Sequence, residues 1–370
     1  MSNKKKFHCI FPVGQNVHLI KDVGMIPFML HKEGYYDSSI SFYENESNLP
    51  YLLSDVKGLK YKRISKIFKN EDYNIFIFLL CNFWKLDIVM MFHPSFKKLL
   101  LANLFHFLSF GALKFYFKLD INESVFDTNF SQNIKNNIKK MLFRRIDLIT
   151  VETNKINKFL NEKTYIKSKL LPNGFKSEEM KSLPTEKENL FITVGRIGSY
   201  SKDTETLLRA IQNLELLDWK FLIIGPIEED FNTKIDEFFS ENPKLTTSVF
   251  FLGSISDRKK LNEYYKKSKV FVLSSRYESF GLVIVEALSQ GNFIVSTDLT
   301  PSREIADSAG YGKFYPIEDD VSLRCILQDI IHQKYLLPSP QSIENYANEN
   351  YNWSVIVTKL YNMLEKNNLS

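Results

Sequence analysis

Cysteine is nearly absent from this chain: Cys9, Cys81 and Cys325 form an odd set with no close spacing. That pattern supports neither a disulfide framework nor a zinc site. Glycine and proline are scarce as well. With 14 Gly and 12 Pro in 370 residues, low-complexity and collagen-like classes are excluded. No apolar run reaches the ~18–20 residues that a membrane span needs. Ile75–Trp84 and Leu99–Leu113 come nearest and read as core helices. A helix resting on a membrane surface is the alternative, because the surrounding sequence is basic. A clean signal peptide is missing too. Lys4, Lys5 and Lys6 precede only a short apolar run, Phe7–Val13, before Gly14, Gln15 and Asn16 intervene. The expected place is the cytoplasm, peripheral at the inner membrane face if the surface helix is used.

Against these gaps stand a 44% apolar fraction, 25% charged residues and 14% aromatics, which exclude a disordered chain. The length favours two domains of about 150–200 residues each. The net charge of +5 hides an asymmetry. Residues 1–185 hold 28 Lys/Arg and 17 Asp/Glu, a net of +11, whereas residues 186–370 hold 20 and 26, a net of −6. Opposite signs predict two domains with different partners. The basic excess is spread and carries no aromatic-basic motif, so no nucleic-acid partner is expected.

Short apolar runs alternate with longer amphipathic ones. Strands are expected at Phe7–Val13, Ile88–Phe92, Leu113–Leu119, Leu148–Glu152 and Ile166–Leu171. In the second half they are expected at Leu190–Val194, Lys220–Ile224, Val249–Leu252, Val270–Ser274 and Phe293–Ser296. Helices are expected at Asp203–Leu217, Asp230–Glu241, Asp257–Ser268 and Gly281–Gln290, several with Asp near the start as an N-cap. This alternation predicts an α/β chain with doubly wound, Rossmann-like parallel sheets. Pro172–Asn189 is polar, carries two Pro and one Gly, and reads as a linker where the charge changes sign. The domains are therefore expected at 1–180 and 186–345. Trp353–Leu364 reads as a final amphipathic helix with no local partner.

Ligands bind outside the carboxyl ends of strands in such sheets. After Leu190–Val194 comes Gly195-Arg196-Ile197-Gly198-Ser199-Tyr200-Ser201-Lys202-Asp203 and then a helix. Arg196 offers a bidentate fork, Lys202 a point charge and the helix a partial positive end, all suited to phosphate. A surface turn with solvated cations is the bland alternative, since neither GxxxxGK(S/T) nor GxGxxG occurs. After Val270–Ser274 comes a loop with Glu278, and Glu286 follows eight residues later between Val285 and Ala287. Carboxylates avoid such apolar settings unless paired or functional, and two of them can accept hydrogen bonds from sugar hydroxyls.

Taken together, these residues resemble the GT4-type retaining glycosyltransferases of the GT-B fold. Glu278-Ser279-Phe280-Gly281-Leu282-Val283-Ile284-Val285-Glu286 fits the family's E-x7-E motif, with Ser279 replacing Gly. Val194-Gly195-Arg196 with Lys202 fits its phosphate loop, and Leu171-Pro172-Asn173-Gly174 is similar to its interdomain signature. Arg303-Glu304-Ile305 resembles a later segment, and Trp353 the residue that opens the last helix. The resemblance implies a GT-B fold, with two doubly wound domains facing across a cleft. It also implies that helix 350–367 crosses back onto the first domain.

The resemblance further implies that Arg196 and Lys202 hold the diphosphate of a nucleotide sugar, with a UDP-linked donor expected. Glu286 would bind the ribose. Glu278, with the backbone of Ser279, Phe280 and Gly281, would grip the sugar. The Gly225 loop and the Leu252–Ser256 loop would flank the base. No metal or other cofactor is expected, because cations and helix ends carry the countercharge. In the first domain, Gly14 is similar to the family's glycine loop. Many members carry a His after the fourth strand; here that strand ends Lys118-Leu119-Asp120. Asp120 is the main candidate to take that position, with Lys118 and His93 as alternatives. Lys21-Asp22, read as part of a long first loop, are candidates for reaching the acceptor. The implied reaction is retaining transfer of a hexose or N-acetylhexosamine to an acceptor glycan, lipid-linked glycan or glycoprotein in bacterial surface-polysaccharide or glycoconjugate synthesis. An anionic membrane surface is a further expected partner. The alternative is a non-catalytic GT-B subunit that binds a protein partner or acceptor.

Overall fold

The structure, a computed structural model, describes residues 4–46, 48–122, 137–176, 186–334 and 336–366. The chain divides into two compact units, Met1–Gly174 with Trp353–Ser370, and Phe175–Asn352.

The first unit is built on a seven-stranded sheet. Its strands are β1 (Lys6–Ile10), β2 (Asp37–Phe42), β3 (Lys60–Arg63), β4 (Ile88–Phe92), β5 (Lys114–Leu119), β6 (Leu148–Val151) and β7 (Lys169–Leu170). Their spatial order is β3-β2-β1-β4-β5-β6-β7, and every pairing is parallel. The central strands are apolar on both faces, as IVMMF in β4 shows, because helices cover both sides. On one face lie α1 (Asp22–Lys32) and the last helix, Trp353–Lys366. On the other lie α2 (Glu71–Asn82), α3 (Phe96–Leu108), α4 (Asn137–Arg144) and α5 (Asn154–Lys163).

The last helix joins this unit through its apolar stripe. Trp353, Ile356, Val357, Leu360 and Leu364 fall at helical spacing and are all buried in the α1-side core. Polar contacts fix the rest. Glu365 pairs with Lys5 at 2.7 Å and accepts from the Tyr36 hydroxyl at 2.8 Å. The Tyr35 and Tyr361 rings stack at 4.4 Å.

The second unit holds a six-stranded parallel sheet: β8 (Glu188–Val194), β9 (Lys220–Ile224), β10 (Val249–Gly253), β11 (Ser268–Leu273), β12 (Phe293–Thr297) and β13 (Gly312–Tyr315). Its order is β10-β9-β8-β11-β12-β13. The helices are α6 (Thr204–Gln212), α7 (Phe231–Glu241), α8 (Arg258–Lys267), α9 (Leu282–Ser289), α10 (Asp320–Ile331) and α11 (Pro340–Tyr351). At the end of the sheet away from the strand carboxyl ends, the buried Lys187 ammonium donates to the carbonyls of Tyr265, Ser268 and Gln290. Burial pulls its pKa down to about 7. It shares the Tyr265 and Ser268 carbonyls with the Asn292 side-chain amide, so the C-terminal ends of α8 and α9 are tied together.

Several expectations are corrected. The first strand ends at Ile10 and not Val13, because Pro12 lacks an N–H and the Gly14 N–H turns back to the Phe11 carbonyl at 2.9 Å. The long first loop ends earlier than expected, since Asp22 opens α1. The strand expected at Ile166–Leu171 shrinks to Lys169–Leu170, and the helix expected at Asp203–Leu217 ends at Gln212. The linker read at Pro172–Asn189 includes Glu188, which already belongs to β8; its residues 177–185 lie outside those described. Three strands, β2, β3 and β13, were not expected at all. β2 is DSSISF, a buried strand disguised by serines. β3 is KYKR, an edge strand whose charges stay in water.

Replacing Trp353 by Ala should cost the first unit about 3–5 kcal/mol, the usual penalty for emptying a buried aromatic site. A urea titration read by circular dichroism tests this, and an unchanged midpoint would remove the last helix from the core.

Candidate active site

The order of the second sheet reverses between β8 and β11, the place where an open α/β sheet leaves a crevice for a ligand. The loops leaving these two neighbours are Gly195–Asp203 and Ser274–Gly281, the two that carry the expected phosphate and sugar residues. Arg196 is exposed, and its guanidinium has no partner among the described residues. The Lys202 ammonium is paired with the Glu278 carboxylate across the two loops. Glu278 also accepts from the Ser275 hydroxyl at 2.7 Å, and the Ser274 hydroxyl donates to the Lys202 carbonyl at 2.9 Å.

Glycine sets the neighbouring loops. Gly225, after β9, has φ +148°, and a Cβ there would stand 1.7 Å from the Gly195 carbonyl oxygen. Its own N–H donates to the Gly253 carbonyl at 2.9 Å, while the Gly195 N–H donates to Ile224 at 3.0 Å. The loops after β8, β9 and β10 are thus stitched at contact distance, which a side chain would prevent. Gly281, with φ +87°, is the N-cap of α9. Ser279 is half-buried, whereas the Phe280 ring is buried in the core, so only its backbone is available to a ligand.

Glu286 lies one turn into α9 and accepts from Arg258, on α8, at 2.7 Å. Arg258 was not singled out from sequence, since nothing marks it among the basic residues of α8. Arg276 was missed as well, although it stands in the loop that carries Glu278. Its guanidinium donates to the Tyr200 carbonyl at 2.6 Å, pairs with Asp203 at 2.9 Å and Glu318 at 2.7 Å, and covers the Tyr200 ring at 4.4 Å. A loop arginine three residues after an apolar strand was the available signal.

The first sheet reverses between β1 and β4. Gly14 lies in the loop after β1, packed so closely on Phe42 that a Cβ would fall 2.6 Å from its ring. Asn45 donates to the Gly14 carbonyl at 2.7 Å. His93 follows β4, exposed and with φ +48°, an uncommon conformation for a residue with a side chain. Asp120 follows β5 and is exposed. Lys21 is exposed at the start of α1.

Lys118 and Asp22 do not stand where the sequence reading put them. The Lys118 side chain is fully buried, so it is removed as a candidate for direct ligand contact. Its ammonium lies 3.3 Å from Glu152 and 4.0 Å from Asp22, and donates to the Leu171 carbonyl at 3.4 Å. Asp22 is buried beside it, and its carboxylate accepts from the Val23 N–H at 2.9 Å. Asn173 donates to Glu152 at 2.7 Å. Burial pushes the Glu152 carboxyl up to about 7 against the pull of Lys118, with Asp120 and Asp22 adding like charge. Burial raises the Asp22 carboxyl too, again opposed by Lys118.

Residues 175–350 match the model of the family described as Glycosyl transferases group 1. The phosphatidyl-myo-inositol mannosyltransferase of Mycobacterium leprae is 25% identical over 209 residues, 53% of this chain and 52% of that protein. The chain thus spans about half the length of the curated relatives it matches. Among solved structures, the lipopolysaccharide outer core galactosyltransferase WaaB in apo form has a TM-score of 0.71 at 16% identity, covering 98% of this chain and 99% of that one. The Anabaena protein HepE in complex with UDP and glucose has a TM-score of 0.72 at 14% identity, covering 98% and 100%. Both likenesses show the fold alone: the two Rossmann-like units are together the two domains of a GT-B fold.

Two outcomes follow from the buried Lys118 cluster. Lys118→Met strands two buried carboxylates and should cost about 3–5 kcal/mol in a denaturant titration. The second concerns pH. Unfolded, Glu152 ionises near 4.5; folded, near 7. Between these values the folded protein holds a proton that the unfolded chain has released, so stability falls as pH rises through that window. Glu152→Gln should flatten the decline in the urea midpoint between pH 5 and pH 8, and an unchanged slope would contradict it.

Proposed function

We propose, for a chain whose residues 175–350 match the model of the glycosyl transferases group 1, that it is a glycosyltransferase. In this reading it moves a hexose or N-acetylhexosamine from a UDP-linked donor, with retention, to an acceptor glycan, lipid-linked glycan or glycoprotein. The observation that carries the reading is the meeting of Lys202 and Glu278 at the β8/β11 switch point, with the open Arg196 guanidinium on the same loop. The Anabaena structure, described with UDP and glucose, supports a UDP-linked hexose as donor. The mannosyltransferase relative, named for phosphatidyl-myo-inositol, supports a lipid-linked acceptor.

In this mechanism Arg196, Lys202 and the N-terminus of α6 bind the donor diphosphate. They stabilise the charge that grows on the phosphate oxygen as the glycosidic bond breaks, which is where preorganised donors lower a barrier most. The diphosphate competes with Glu278 for Lys202. Glu278 is thereby released to accept hydrogen bonds from the sugar, together with backbone groups of Ser279, Phe280 and Gly281. Glu286, oriented by Arg258, accepts from the ribose hydroxyls. Leaving and attacking groups share one face, and the departing phosphate oxygen takes the acceptor's proton. Asp120 positions the sugar from the first unit, with His93 as the second candidate because of its left-handed backbone. The countercharge comes from the protein, so no metal takes part. An anionic membrane surface is a further partner of the basic half.

A screen of UDP- and GDP-sugars for hydrolysis, with thermal shift as the binding readout, tests the reading. Arg196→Ala should lower kcat/KM by about 10²–10³ without lowering Tm, the scale of losing one oxyanion donor. Activity in EDTA should equal that without it. Wild-type turnover in Arg196→Ala would overturn the site. Binding of donor with no turnover under any acceptor would favour the non-catalytic subunit.

A further inference from the structure

Helix α3 (FKKLLLANLFHFL) is apolar on the wrong side as well as the right one. Leu99, Ala102 and Phe105 face the core and are buried. Phe96, Leu100, Leu104, Phe107 and Leu108, spaced by three and four, form a second stripe that is exposed along the whole helix. Such positions are polar on an ordinary surface helix. The turn that ends α3 adds Phe110, which is 99% exposed and held at φ +54°. A large aromatic in that conformation is strained and gains nothing from its own fold. Contiguous exposed apolar surface of this kind marks an interaction site.

Charge identifies the occupant. Residues 88–119 contain four Lys and no Asp or Glu. Neighbouring α4, whose Leu142 carbonyl accepts from Asn103 of α3 at 3.1 Å, carries Lys139, Lys140 and Arg144, with Arg145 following and no acid. Exposed Trp84, with Lys85 over its ring at 6.0 Å, ends the adjoining α2 segment. Thirteen residues make about 20 Å of helix, too short for a bilayer core of about 30 Å. No helix among the described residues is long and apolar enough to cross a membrane. Lys118 is sealed in the core and Lys98 is paired with Glu71 at 2.8 Å, so the exposed cations beside the stripe are Lys97, Arg144 and Arg145. An apolar stripe with these cations beside it and no spanning length fits a helix lying in the plane of an anionic bilayer surface. An isologous dimer through this face would set the cations of the two copies against one another.

We propose that α3, with Phe110 and the cations of α4, is the face by which this protein seats on anionic lipid. The proposal rests on the reading above that the basic half meets a membrane, and it specifies the segment, its depth and its chemistry.

The test is co-sedimentation of the full chain with vesicles of phosphatidylglycerol and phosphatidylcholine, and with phosphatidylcholine alone, across a salt series. Binding should require phosphatidylglycerol and weaken as salt passes ~0.15 M. Phe107→Ser with Phe110→Ser should lower the partition coefficient about tenfold, and Arg144→Glu or Arg145→Glu by at least about fivefold each. These residues are exposed, so the variants fold. Equal binding by the Phe variants would overturn the proposal. So would equal binding to neutral vesicles, or a dimer seen by light scattering that the Phe substitutions dissolve in the absence of vesicle binding. Donor hydrolysis measured without lipid separates the two readings. The Phe variants should hydrolyse donor like the wild type, while Arg196→Ala should still bind vesicles. Vesicle binding with no hydrolysis of any donor would sink the glycosyltransferase reading and leave the lipid face standing.

Discussion

The geometry at the β8/β11 switch point depends on one ion pair, Arg276 with Asp203. The Asp203 side chain is only 1% exposed, and its backbone sits at φ +45°. An isolated carboxylate would not remain charged there. Arg276 supplies the countercharge at 2.9 Å, and Thr206 donates to the other oxygen at 2.7 Å. The same guanidinium holds the Tyr200 carbonyl, and the Arg276 N–H donates to the Ser201 carbonyl at 2.9 Å. The loop after β8 is therefore bound to the loop after β11 along several residues. Lys202 meets Glu278 because its neighbour is anchored, and α6 begins at Thr204 for the same reason. Planar, multidentate geometry is what arginine offers here and lysine does not.

The first unit uses buried charge differently. Around Lys118 two carboxylates compete for one ammonium, and the Glu152 Oε2 and Asn173 Oδ1 atoms find no hydrogen-bond partner. Such an arrangement stabilises a fold weakly, because desolvation offsets most of the attraction. Its consequence is electrostatic. Exposed Asp120 raises both buried carboxyls, so its charge is coupled to theirs. A residue expected to position a sugar thus sits in the field of an acidic cluster immediately beneath it. On the face of the sheet covered by α2, α3 and α4, the exposed Arg144 and Arg145 lie beside apolar surface in water. The net of +11 over residues 1–185 is therefore not a uniform property of that half.

Much of the second sheet was legible because its strands are short apolar runs bounded by glycine and polar loops. Arg196, Lys202, Glu278 and Glu286 were found by their spacing relative to those strands, and the strand order then set β8 beside β11. The misses have physical causes. β2 hides behind serines that are buried although polar: Ser39 meets His8 at 2.7 Å, while the Ser38 and Ser41 hydroxyls find no partner among the described residues. β3 is an edge whose lysines never leave water. Asp22 looked like a loop residue because Asp favours turns, yet the following VGMIPFML run carries it into a buried helix. Lys118 looked like a free cation because a sequence does not show which partners will surround a strand residue. Arg258 and Arg276 are ordinary basic residues until their acids are placed beside them.

The sequence by itself determined the α/β alternation, the charge asymmetry and which charged residues stand in the loops after β8 and β11, because these depend on residues close together in the chain. It also carried the apolar stripe of α3, whose periodicity is local. Only tertiary structure decided that β8 and β11 are neighbours, that Lys202 faces Glu278, and that Lys118 is sealed between Asp22 and Glu152. These pairs are 76, 96 and 34 residues apart in the chain, and nothing in either partner's local sequence encodes the other. Tertiary structure likewise decided which side of α3 the core would use. Burial is a property of the packed whole, and the stripe left in water became informative only once the other one was covered.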